Sequence, residues 1–209
     1  MEMKNGVYLI LDPAMEPGSL LRKLKQALLE DIAAVQIWDH FKNGTIPTYL
    51  IEEIQLLCQE RSVPVLINNR WELLKHTYLD GVHFDSPPHD LSQLKTEIGR
   101  EFIVGITCNN DLNLVKWAQE NEVNYLSFCS MFPSSTSNSC ELVSFDTVRR
   151  AREITTMPIF LAGGIRPDNL IQLEDLDFSG IAVISGVMNS NNPAVEINKY
   201  NSILNTLVK

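Results

Sequence analysis

The feature that most limits how this chain can fold is an unbroken alternation of short apolar runs with amphipathic segments, repeated eight times. "VYLILD" (7–12) is the first run, after which Leu20, Leu24, Ala27 and Leu28 recur at helical spacing. "AAVQIWD" (33–39) follows, with Leu50, Ile54, Leu57 and Cys58 on one helical face behind it. "VPVLINN" (63–69), "DGVHF" (80–84), "FIVGITC" (102–108), "NYLSFCSMF" (124–132), "MPIFLAGG" (157–164) and "GIAVISG" (180–186) continue the series. Leu91, Leu94 and Ile98 mark a shorter helix, and Ile197, Tyr200, Ile203, Leu204 and Leu207 mark the last one. Runs that are apolar on both faces read as parallel strands covered by helices. Eight such units predict an α/β fold, a single (β/α)8 barrel over 1–209. An open doubly wound sheet needs no eighth unit and favours a G-x-G-x-x-G turn after its first strand. Here that turn is "LDPAMEPG". No linker or low-complexity run divides the chain.

Charge narrows the partners. The 209 residues carry a formal net charge of -9, which disfavours a nucleic-acid backbone or an anionic membrane. The first residues hold Glu2 and only a short apolar run, so neither a signal peptide nor a membrane span is expected, and a cytoplasmic location is. Cys58, Cys108, Cys129 and Cys140 show no metal-type spacing and read as thiols. Cys58 and Cys129 are expected to pack in the core, whereas Cys108 and Cys140 fall near loop ends.

In a barrel of this kind the chemistry sits at the C-terminal ends of the strands. Those ends hold Asp12; Gln36, Trp38 and His40; Asn68, Asn69 and Arg70; His83 and Asp85; Thr107 and Asn109; Ser134 and Thr136; Gly163 and Gly164; and Ser185 and Gly186. Glycines ending strands seven and eight suit a phosphate, because a ligand can approach their backbone N–H groups. The plainer alternative is that they make tight turns. Trp38 admits two readings, a plug for the barrel mouth or a surface for stacking a flat ring. His83 reads first as a strand histidine satisfied by a backbone partner, and His76 and His89 as surface residues.

The same strings, in order, resemble the thiamine phosphate synthase family and its thiazole tautomerase relative. "VQIWDH" stands for the family's V-Q-L-R-E-K, "LINNR" for I-N-D-R and "DGVHF" for D-G-V-H-L. "GIT" stands for G-x-S and "FCSMFPSSTS" for F-x-x-x-F-x-T-x-T-K, and "AGGIRPDN" and "GIAVISGV" complete the match. The resemblance implies a transferase-like site in thiamine biosynthesis. It would join an aminopyrimidine pyrophosphate to a thiazole phosphate with magnesium. Ser134, Thr136, Gly163, Gly164, Ile184, Ser185 and Gly186 would then hold the thiazole phosphate or thiamine phosphate. Gln36, Asn68, Asn69, Arg70 and His83 would line the substrate pocket.

The match breaks on the pyrophosphate side. The family's arginine is Trp38 here, its lysine is His40, a metal-binding aspartate is Asn69, and the loop lysine is Ser137. The second metal aspartate has no aligned counterpart in "FDSPPHD", leaving Asp85 and Asp90 as candidate ligands. Magnesium prefers anionic oxygens, so an amide at Asn69 is a poor replacement. One lost stabiliser of a departing pyrophosphate costs about 3–4 kcal/mol in the transition state. Synthase turnover is therefore expected to be weak. The tautomerase acid/base histidine is Asn109, so proton transfer would need another base, with His40 first and His83 and Cys108 behind it. Three alternatives stay open: a tautomerase-like or other proton-transfer enzyme, a non-catalytic ligand sensor or partner subunit, and an unrelated sugar-phosphate barrel enzyme such as an epimerase, against which the absence of a clear acid pair at the strand ends counts. Lys42 could supply a charge only if its loop were rebuilt. A homo-oligomer is left open.

Overall fold

The computed structural model describes residues 3–44, 47–134 and 141–208. Eight parallel strands close into a barrel in sequential order: β1 (Gly6–Leu11), β2 (Ala34–Ile37), β3 (Val65–Asn68), β4 (Gly81–Phe84), β5 (Ile103–Thr107), β6 (Tyr125–Cys129), β7 (Ile159–Ala162) and β8 (Gly180–Val183). β1 is paired on both sides, with Leu9 opposite Val35 on β2 and opposite Val183 on β8. The sheet therefore has no open edge.

Helices α1 (Pro17–Ala27), α2 (Thr48–Gln59), α3 (Leu91–Ile98), α4 (Leu112–Glu120), α5 (Phe145–Ile154), α6 (Ser185–Met188) and α7 (Pro193–Leu207) lie between and after the strands. Their starts are written in the sequence. Glu16 accepts from the N–H groups of Gly18 and Ser19 ahead of Pro17, and Asp111 and Ser144 cap α4 and α5 in the same way. Two units depart from the expected pattern. After β3 and β7 the chain makes only short 3-10 turns, Trp71–Lys75 and Leu170–Leu173. The turn after β3 is held by Arg100, whose guanidinium donates to the carbonyls of Leu74 and Leu79 at 3.3 and 2.7 Å.

The apolar side chains divide between two cores. The larger lies between sheet and helices and includes Leu20, Leu24, Ile54, Cys58, Val115, Val148 and Leu204. The smaller fills the barrel itself with Tyr8, Ala34, Leu66, Ile103, Tyr125, Phe160, Ala162 and Ala182. Strand periodicity explains the split, since alternate residues point to opposite faces. No described helix is long and apolar enough to cross a membrane.

Candidate functional site

Alternation along each strand decides what reaches the mouth of the barrel. On β2, Ala34 and Gln36 face inward, and the N–H of Trp38 still donates to Leu11 O at 2.9 Å, one residue past the strand. Trp38 therefore turns inward too. With the equivalent residues of the other strands it lines a cavity of about 730 Å³ at the C-terminal ends. Gln36, Trp38, Asn68, His83, Asp85, Thr107, Asn109, Ser134, Gly163, Gly164, Ile184, Ser185 and Gly186 all contribute to its wall.

A continuous hydrogen-bond chain forms the floor. Tyr8 Oη donates to Gln36 Oε1 at 2.8 Å and lies 2.8 Å from Tyr125 Oη. His83 Nδ1 is 2.9 Å from Tyr125 Oη, and His83 Nε2 is 2.9 Å from Thr107 Oγ1. One proton per hydroxyl fixes the direction. Tyr8 has given its proton to Gln36, so it accepts from Tyr125; Tyr125 then accepts from the Nδ1–H of His83. A neutral imidazole protonated at Nδ1 carries a lone pair at Nε2, which accepts from Thr107. Burial favours this neutral form and pulls His83 down to about 4, against the opposing pull of the Asp85 carboxylate. Burial likewise raises Tyr8 and Tyr125 above the ordinary phenol range. His83 is thus satisfied by two side chains, not by the backbone partner expected of a strand histidine.

The floor needs an empty space beside it. A Cβ on Gly105 would lie 2.0 Å from the ring of Tyr125, so only glycine on β5 lets that ring lie flat across the barrel. Phe160 packs edge-on against Tyr125, with ring centroids 5.5 Å apart.

At the ends of β7 and β8, the N–H groups of Gly164, Ser185 and Gly186 find no hydrogen-bond acceptor among the described residues. Gly164 also has a reason of its own to be glycine. Its φ is +66°, and a Cβ would lie 2.5 Å from Pro133 O. The tight-turn reading is therefore correct for this residue and leaves its amide open.

The opposite end of the mouth is organised by amides and carboxylates. Asn68 Nδ2 and Asn69 Nδ2 donate to the two oxygens of Asp85 at 2.9 and 2.8 Å, and the Asp85 N–H returns a bond to Asn69 Oδ1 at 3.0 Å. Asn69 and Asn109 sit at φ +58° and +48°, a left-handed conformation that asparagine tolerates better than most residues. Both positions thus suit asparagine on conformational grounds.

Several expected residues stand outside the cavity wall. His40 turns to the rim, where Nδ1 lies 3.0 Å from Asp12 Oδ1 and the side chain is 56% exposed. Its ring centroid is 4.6 Å from that of Trp38. Arg70 bonds Asp39 at 2.8 Å instead of pointing inward. Asn69 is on the rim in its pair with Asp85. Asp90 caps α3 through the Gln93 N–H at 2.8 Å, and Lys42 is exposed. Thr136, Ser137 and Cys140 lie outside the described residues. The thiols also sort differently from expectation. Cys108 is buried, and burial pushes it up to about 12, too high for a nucleophile near neutral pH. Cys129, expected in the core, lines the cavity because it occupies an inward position of β6.

The magnesium implied by the resemblance does not fit this donor set. Both oxygens of Asp85 already accept amide hydrogens, and Asp90 serves a helix. Among the described residues no group of three or more His, Cys, Asp or Glu could hold a metal ion.

Sequence reading missed Tyr8, Tyr125, Ser127, Phe160, Arg166 and Asn189, all of which line the cavity. The first four lie two or four residues before Ile10, Cys129 and Ala162, on the inward parity of β1, β6 and β7, a parity that these apolar runs do not mark. The family model for thiamine monophosphate synthase matches residues 7–187, from β1 into α6. This chain belongs to the thiamine monophosphate synthase family. It is 26% identical over 205 residues to a thiamine-phosphate synthase of Xylella fastidiosa, covering 98% of this chain and 87% of that one. A Clostridium perfringens thiamine-phosphate synthase is 28% identical over 200 residues, with 95% of each chain covered. Among solved structures, thiamine phosphate pyrophosphorylase from Pyrococcus furiosus superposes with a TM-score of 0.80 at 22% identity, over 97% of this chain and 96% of the other. That likeness establishes the shared barrel.

Proposed function

We propose that the chain serves thiamine biosynthesis by binding a monophosphorylated ring compound, thiazole phosphate or thiamine phosphate, in the cavity at the strand ends. The observation that carries this reading is the unequal chemistry of the two sides of the mouth. On the β7–β8 side, Gly164, Ser185 and Gly186, whose amides have no acceptor among the described residues, stand in the cavity wall, where backbone donors can take phosphate oxygens. On the β2–β4 side, the wall offers Trp38, Asn68 and Asp85, with no lysine or arginine among its described residues. A monophosphate suits the first side. A pyrophosphate on the second would meet a carboxylate and an indole.

Thr107, Asn109 and Gln36 frame the ring between these sides, and Trp38 supplies a flat face for it. Synthase turnover on this reading is slow, because no lysine or arginine among the described residues of the β2–β4 wall neutralises a departing pyrophosphate. A second reading draws on the His40–Asp12 pair, in which a carboxylate orients an imidazole as in general-base sites. It requires His40 to swing from the rim to the ligand.

Calorimetry with thiazole phosphate, thiamine phosphate and the pyrimidine pyrophosphate, each with and without magnesium, tests the reading. The first two should bind, while the third should bind weakly and gain nothing from the metal. Thiamine phosphate formation at about one turnover per second or faster would overturn the expectation of slow synthesis. No binding of either monophosphate at millimolar concentration would overturn the reading as a whole.

A further inference from the structure

Among the described residues of the cavity wall, Arg166 is the one lysine or arginine. Its backbone is fixed beside the open amides. The Arg166 N–H donates to Asn169 Oδ1 at 2.8 Å, and Asn169 Nδ2 donates to Gly164 O at 2.9 Å, so one buried amide ties the two residues together. Tyr200 Oη donates to Ile165 O at 3.1 Å from behind the loop. The same hydroxyl would lie 2.6 Å from a Cβ on Gly186, so it joins the end of β7 to the start of α6. Arg166 also acts electrostatically on Tyr200, which places its charge near this junction.

The guanidinium itself is held only loosely. Nε and Nη2 bond the two oxygens of Asp168 at 3.0 and 3.3 Å, with the side chains 60% and 71% exposed. Exposed pairs of this kind are weak and readily exchanged. A phosphate dianion offers the same two-pronged geometry with more charge. A chain of net charge -9 also needs a local cation to draw in an anionic ligand.

We propose that Arg166 determines specificity for the phosphate, leaving Asp168 to clamp the phosphate oxygens across the amides of Gly164, Ser185 and Gly186. Asp168 then acts as a built-in competitor that keeps the guanidinium parked when the cavity is empty. This inference rests on the monophosphate reading above and adds the residue that selects for it.

The test compares thiazole phosphate with the corresponding unphosphorylated thiazole alcohol, by calorimetry, on the unaltered protein, Arg166→Gln, Arg166→Lys and Asp168→Asn. Arg166→Gln should weaken thiazole phosphate binding by about ten- to a hundredfold, the range for a hydrogen bond to a charged group. Binding of the alcohol should change less than about twofold, since it brings no phosphate for the guanidinium to hold. Arg166→Lys should recover part of the loss, and Asp168→Asn should tighten thiazole phosphate alone. Equal affinity of Arg166→Gln and the unaltered protein for thiazole phosphate would overturn the role of Arg166 while leaving the monophosphate reading intact. Weaker binding by Asp168→Asn would overturn the exchange. Failure of the unaltered protein to bind thiazole phosphate would overturn both the reading and the clamp.

Discussion

Replacing Gly105 with alanine tests whether the floor of the cavity is built as described. The backbone there is ordinary strand, so a methyl group alone would favour the fold by about 0.5–1 kcal/mol through lost freedom of the unfolded chain. The space argues the other way. The new Cβ would stand 2.0, 2.3 and 2.4 Å from Cζ, Cε1 and Oη of Tyr125, a side chain 1% exposed and boxed in by Phe160 and Tyr8. Forcing a methyl into a packed core costs about 1–3 kcal/mol. Moving the ring also breaks its bonds to Tyr8 and His83, at about 1 kcal/mol each. The net expectation is a loss of about 3 kcal/mol, read from urea unfolding. A double-mutant cycle isolates the cause. In a Tyr125→Leu background the clashing atoms are gone, so Gly105→Ala should then be neutral or stabilising. Additive effects in the two backgrounds would refute the claim that glycine is there to seat Tyr125.

Two further expectations concern charge. His83 is held down at about 4 in the fold against an ordinary value near 6.5, so between those values the unfolded chain binds the extra proton. Stability should therefore fall as pH drops from about 6.5 to 4, by up to about 3 kcal/mol, and His83→Gln should flatten that slope; an unchanged slope in the variant would count against a buried neutral imidazole. Asn69→Asp should set a second carboxylate against Asp85, lowering stability by about 1–2 kcal/mol and creating a site whose melting temperature rises with added manganese. The unaltered protein should show no such rise.

The fold was legible because eight apolar runs recur with helices between them, and each strand falls inside its predicted segment except β1, which begins one residue earlier at Gly6. The eighth was read too far. Ile184 breaks extended geometry at φ -121° and ψ -86°, and Ser185 already begins α6, so "ISG" is strand end and helix start together. Site residues at strand tips were found by position alone. The floor was not, because strands covered on both faces are apolar throughout, and the period of two that marks Tyr8, Tyr125 and Phe160 as inward is hidden in such runs. His40 and Arg70 were misplaced for a different reason. Past the last ladder bonds, at Trp38 after β2 and at Asn69 after β3, the direction of a side chain depends on its partner, and Asp12 and Asp39 hold them at the rim. Arg166 stood in a quoted motif, but the sequence does not reveal how Asn169 and Tyr200 fix its loop beside the glycines.

The bond between Tyr8 and Tyr125 joins residues 117 positions apart in the chain. During synthesis, the first tyrosine must wait until β6 has emerged before its hydroxyl finds this partner. Until then the phenol on β1 faces an unfinished lumen, with Gln36 on β2 as its one partner among the floor residues already made. Closure against β8 comes later still, since Gly6 through Leu9 pair with Gly180 through Val183. Contacts of such long sequence separation slow folding, because loop-closure entropy is spent before they form. A chain truncated before β6 would thus keep local helices and strand pairs while having no cavity floor. Refolding experiments should find the fluorescence of Tyr125 among the last signals to reach its native value.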